Sequence, residues 1–266
     1  MPPTTAPVAV PRRFVWVSPL LVVVAVMGVP AVVSGRPVPG AEASALVRQV
    51  LSAPLAYSVP ALLPLAKALL VVVGAMAVGG VRQSPRILVA YYAASLVVTG
   101  FFQNAAVIPG RGFAFLTGNA VAQLGLAGAC LVALRRVPAE PSVLRRGRLW
   151  VLPLMLVAAA FPYVVTDGHV SPGSDGALTN GAGVTGCMVT AVVAGALFLR
   201  PDAIPASLRV AVGGFGVVFG LLNLVTWFVL SPQSWWMGVL HLPLFVCSMA
   251  LTITSWTAGG RPDRRY

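Results

Sequence analysis

Apolar residues run through this chain in long unbroken stretches, without the alternation of a half-buried strand or the narrow stripe of a surface helix. Eight stretches recur, approximately Phe14–Ser34, Tyr57–Gly79, Ile87–Val107, Phe113–Leu134, Leu149–Thr166, Leu178–Leu199, Val210–Leu230 and Trp235–Thr257. Each approaches the ~20 residues a helix needs to cross a hydrocarbon core. The gaps carry turn chemistry, as in Pro109-Gly110-Arg111-Gly112 and Ser171-Pro172-Gly173-Ser174. The pattern predicts an all-α integral membrane protein with about eight transmembrane helices.

Charge placement tests that segmentation. With the N-terminus in the cytoplasm, fourteen basic residues fall on the inner side and three (Arg36, Arg48 and Arg111) on the outer, while Lys67 lies inside a helix. An excess of arginine in short loops marks the cytoplasmic face. A helix missed or invented would invert every later loop and dilute the contrast. Both termini are therefore expected inside.

The chain echoes itself at about half its length. Trp16-Val17-Ser18-Pro19-Leu20 opens the first segment and Trp150-Val151-Leu152-Pro153-Leu154 the fifth; Pro30-Ala31-Val32-Val33 closes the first and Pro162-Tyr163-Val164-Val165 the fifth. Gly100-Phe101-Phe102-Gln103-Asn104 is matched by Gly220-Leu221-Leu222-Asn223. These echoes predict a 4+4 internal repeat, its halves related by a two-fold axis along the membrane normal, as in parallel-repeat transporters. The expected organisation is a cytoplasmic tail (1–13), a first half (14–134), a basic linker (135–148), a second half (149–257) and a basic tail (258–266). On the outer side, Glu42–Leu51 is expected to form a short interfacial helix, and the Gly-, Ser- and Asp-rich segment Asp167–Ala177 an ordered loop.

Composition narrows the class. Of 266 residues, 58% are hydrophobic and 9% charged, and the net charge is +12; soluble domains carry about 25% charged residues. The arginines sit in short gaps and form no basic face, so nucleic acid is not an expected partner. Cys130, Cys187 and Cys247 are odd in number, unflanked by histidine and embedded in apolar runs, which predicts neither disulfides nor a metal site. The first segment exceeds the 7–15 apolar residues of a signal peptide and is read as a retained helix. The Ala, Val and Arg bias fits a bacterial inner-membrane protein.

The chemistry-bearing residues are few. Lys67 and His241 are the only ionisable side chains with any depth, so they are the acid–base candidates. Lys67 falls at mid-depth if its helix begins at Tyr57, and at the outer interface if it begins at Pro64. Asn104, Asn119, Gln123, Asn180 and Asn223 are candidate ligand-binding residues, most of them in the outer halves of their helices. Asn119 and Gln123 are spaced i, i+4 and share a helix face. Buried amides need partners, so this group either staples helices together or lines a polar cavity. Gly216 and Gly220 mark a close helix contact, and the tryptophans near helix ends are interface anchors. Phosphate-binding loops, zinc-protease motifs and serine elbows are absent, and no cofactor is expected.

Three functions remain open. The first is binding or transport of a small lipophilic or weakly polar molecule at a polar pocket between the halves. The second is a membrane-embedded isomerase or cyclase using Lys67 and His241. The third is an accessory subunit of a larger membrane complex. The bilayer is the expected partner in every case, and a homo-oligomer is compatible with all three.

Overall fold

The computed structural model describes Ala25 and residues 28–166 and 169–259. The first predicted segment, Phe14–Ser34, lies mostly outside the described residues, as do both tails. Its end is described and is extended, with Val32–Val33 forming strand β1.

The chain is mostly helical. Eight helices follow one another: α1 (Gly40–Ser52), α2 (Leu63–Gly79), α3 (Ser84–Val98), α4 (Thr117–Leu134), α5 (Leu152–Ala160), α6 (Gly186–Leu199), α7 (Ala206–Leu224) and α8 (Trp235–Gly259). With their flanking turns, five are long and apolar enough to cross a membrane among the described residues: Pro60–Gly79, Ser84–Gln103, Thr117–Leu134, Ala206–Leu230 and Pro232–Trp256. This is a multi-pass, all-α membrane architecture.

Three predicted helices are shorter than their apolar runs, for a shared reason. The third stops at a π-helical turn, Thr99–Gln103, and strand β3 (Ala105–Ile108) takes over. The fourth begins only at Thr117, after strand β4 (Gly112–Phe115). The fifth contains just the nine residues of α5 before strand β5 (Tyr163–Thr166). Val, Ile, Tyr and Phe score alike in hydropathy whether they form a strand or a helix, so apolar length alone misplaces these ends. At β3–β4 the turn chemistry decides: Gly110 and Gly112 adopt φ of +74° and +86°, which side-chain-bearing residues rarely do. The sixth run, Leu178–Leu199, is broken by Gly181, Gly183 and Gly186, and its first part folds into a 3-10 turn, Gly181–Val184.

The hairpins gather at one end of the bundle. β1 pairs with β2 (Arg36–Pro37) and with β4, which pairs with β3, giving the order β2-β1-β4-β3. Helix α1 lies on this sheet: Leu46 and Val50, one turn apart, are fully buried against Ala106, Ile108, Ala114 and Leu116. The predicted outer helix therefore exists, with its apolar face on protein. β5 pairs with β6 (His169–Pro172) in a separate hairpin. Both Pro-x-Val-Val segments thus open a hairpin, and α3 and α7 each end in a π-turn, Thr99–Gln103 and Val225–Leu230.

At the opposite end, arginines hold the backbone. Arg200 donates to the carbonyls of Val78 (3.0 Å) and Ser142, Arg148 to Phe198 (2.8 Å) and Arg86 to Val137 (3.0 Å). Val78 and Phe198 are in the last turns of their helices, whose carbonyls lack helical partners, and Val137 and Ser142 are in the loop after α4. In the middle, α6 is enclosed on all sides, with every residue except Cys187 buried.

Candidate functional site

The π-turn that ends α3 is the first element of the site. A π-turn perturbs the regular carbonyl ladder, and Asn104 answers it: its amide nitrogen donates to Thr99 O (3.1 Å), Gly100 O (3.2 Å) and the Gln123 carbonyl oxygen (2.9 Å). Gln103 reaches across, its Oε1 accepting from the Gly186 backbone N–H at 2.8 Å, which fixes the first turn of α6. A side chain at position 186 would crowd Gln123 Nε2 and Gln103 Oε1, at 3.1 and 3.3 Å from its first carbon.

The second half supplies the facing wall. Asn223 in α7 donates to Phe219 O (2.8 Å) and accepts from Trp227 Nε1 (3.1 Å), with Cys187 Sγ at 3.8 Å. In α8, His241 is buried, with Nδ1 2.6 Å from Met237 O. A carbonyl only accepts, so Nδ1 carries the hydrogen and the neutral ring keeps a lone pair on Nε2.

These groups line one cavity of about 100 Å³. Asn104, Asn119, Gln123, Asn223 and His241 all contribute, with Gln103, Thr185 and Cys187 among them and Met188, Phe219, Trp227 and Leu240 as apolar wall. Leu51, Ser52, Pro54 and Arg48, from α1 and the turn after it, complete the lining from the hairpin end. Tyr57 and Tyr163 also border it, and burial pushes both phenols above their ordinary range, so they stay protonated donors. The Thr185 hydroxyl on Tyr57 opposes part of that rise. Among the described residues, no acidic side chain lines this cavity.

Two expected site residues stand apart. Lys67 is in the second turn of α2, since that helix begins at Leu63. It is 5% exposed and outside the cavity lining. Its ammonium donates to Ala177 O (2.5 Å) and Asn180 Oδ1 (3.1 Å). Asn180 in turn donates to Phe161 O (3.0 Å) and accepts from Ala182 N–H (3.3 Å). Lys67 and Asn180 thus find each other, tying α2 to the 3-10 segment before α6. The placement is neither a water-facing snorkel nor a cavity group. Sequence reasoning did not assign Arg48, Tyr57 or Tyr163 to the cavity, because each comes from a segment that reads as a connector or helix end.

Comparison with protein-family models, with curated proteins and with solved structures finds no match to this chain.

Proposed function

We propose that this is an inner-membrane protein that binds or transports a small lipophilic or weakly polar molecule in the cavity between its two halves. The carrying observation is convergence. Five neutral or weakly basic polar residues, four from three helices and Asn104 from the turn after α3, meet at one cavity whose remaining wall is largely apolar. Two of them, Asn104 and Asn223, spend their amides within the protein. Asn119 has no hydrogen-bond partner among the described residues, and His241 keeps Nε2 open. A wall that is largely apolar with a few convergent polar groups is the usual composition of a ligand site. In the enzymatic reading, only His241 of the two acid–base candidates is at the cavity.

Eight spans with cytoplasmic termini and a 4+4 parallel repeat belong to the same proposal. The arginine asymmetry, the paired hairpins and the paired π-turns support them. Cysteines introduced at Arg145 and Ser174 are expected to label from the cytoplasm and from outside respectively; labelling of both from one side refutes the topology.

The function is tested by native mass spectrometry of gently solubilised protein. Wild type should carry a co-purifying small molecule, and Asn119→Leu together with His241→Leu should lose it while the protein remains folded. Identical spectra from wild type and the double variant, with or without a bound mass, overturn the cavity as the binding site.

A further inference from the structure

We propose that the ligand is an amphipathic anion, whose acidic headgroup sits at Arg48 and whose apolar body lies against Phe219, Trp227 and Met188. The inference rests on the binding reading above and narrows its chemistry.

Among the described residues, Arg48 is the one charged side chain in the cavity lining. It projects from α1, the helix seated on the hairpin sheet, and is half-buried. The three ion pairs among the described residues use Arg82 with Glu140, Arg111 with Glu42, and Arg145 with Asp202. Arg48 has neither a carboxylate nor a hydrogen-bonded acceptor among those residues. The contrast with Arg111 is informative, because Arg111 occupies the same end of the molecule and takes the acid that α1 offers, Glu42. Arg48 is left with a charge and five donors pointing at no protein acceptor.

The other open polar groups near it favour the same partner. The Asn119 amide and the Gln123 Nε2 line the same cavity and can donate, while the Tyr57 and Tyr163 phenols are already engaged at Thr185 and Gly181. With no carboxylate in the lining among the described residues, a cationic ligand would face the Arg48 charge without a counter-charge, whereas an anion meets a fork of donors that suits carboxylate and phosphate oxygens. The space around Phe219, Trp227, Met188 and Leu240 offers no such donors beyond those already paired, and suits a hydrocarbon.

The test titrates purified protein, in an uncharged detergent near neutral pH, with dodecanoate, dodecyl phosphate and dodecanol, reading bound molecules by native mass spectrometry. An acid headgroup should improve binding over the alcohol by roughly tenfold or more, as charge-assisted hydrogen bonds do. Arg48→Gln should erase that preference and Arg48→Lys should keep part of it. Preference for dodecanoate assigns a fatty-acid-like ligand, and preference for dodecyl phosphate a phospholipid-like one. Equal binding of acids and alcohol overturns the anion while leaving the cavity reading intact, and so does a preference that survives Arg48→Gln. Failure of all three amphiphiles to bind wild type refutes the amphiphile and the lipophilic-site reading together.

Discussion

The two ends of the bundle satisfy their polar groups by opposite means. At the arginine-rich end, long cationic side chains reach back onto backbone carbonyls, as Arg200, Arg148 and Arg86 do. At the hairpin end the work falls to neutral amides, with Asn104, Gln103, Asn223 and Asn180 each bonded to backbone or to another amide. A guanidinium carries five donors and no acceptor, so it suits the carbonyl ends of helices beside a charged headgroup layer. An amide both donates and accepts, so it can close a network where no charge is tolerable. The lesson is about what remains unspent. Those arginines are bonded to the backbone, whereas at the amide end Asn119 and Arg48 line the cavity with no hydrogen-bond partner among the described residues.

The contrast can be broken most severely at Gly183. A first side-chain carbon there would fall on the backbone of Ala66 and Lys67, which cannot move aside without displacing α2. Gly183→Ala should destabilise the protein by about 3 kcal/mol, at the upper end for overpacking. Thermal unfolding in detergent measures it, and an unchanged midpoint would show that the hairpin end tolerates separation.

The next effect belongs to the other end. Arg200→Met leaves two carbonyls, Val78 and Ser142, without their donor. The expected loss is about 2 kcal/mol, the magnitude of hydrogen bonds to a charged group. Arg200→Lys should recover less than half, because an ammonium cannot fork between two separated acceptors. Full rescue by lysine would mean that charge alone matters there.

Lys67→Met should cost less, about 1 kcal/mol. Two charge-assisted bonds are lost, but so is the expense of burying an ammonium without a counter-ion, and the two largely offset. Cavity binding should be unaffected, because Lys67 is outside the lining. Loss of the co-purifying mass in a stable Lys67→Met protein would put the lysine back into the site.

The smallest change is at the surface. Arg82 and Glu140 pair at 3.1 Å with their side chains 77% and 72% exposed. Glu140→Gln should shift stability by about 0.5 kcal/mol or less, and the shift should vanish in high salt. A larger effect would mean that the arginine-rich end draws on exposed ion pairs as well as on carbonyls.

Much of this was legible in the chain. The apolar runs locate all five long spans, and the helix expected over Glu42–Leu51 is α1, although its Leu46 and Val50 face the sheet. The i, i+4 amides of α4 could be placed on one face before any coordinates. What escaped is where hydropathy is blind. Val107 and Ile108 extend the apolar run of the third segment, yet they bond sideways to Phe113 and Gly112. Hydropathy gives Lys67 a depth but no partner. Its pairing with Asn180 depends on how Gly183 lets a 3-10 segment approach α2. That closeness is a tertiary fact with no local signature.

Helix α6 carries a consequence for the cavity it helps to wall. At fourteen residues it spans about 21 Å, short of a ~30 Å hydrocarbon core. Ordinarily such a helix would thin the bilayer or tilt neighbours to avoid mismatch. This one is enclosed by protein, so lipid thickness has no direct purchase on it. Cys187 and Met188, in its first turn, are therefore referenced to the surrounding helices and not to the headgroup planes. A thicker or thinner membrane would strain the outer helices first and leave this wall of the cavity where it is.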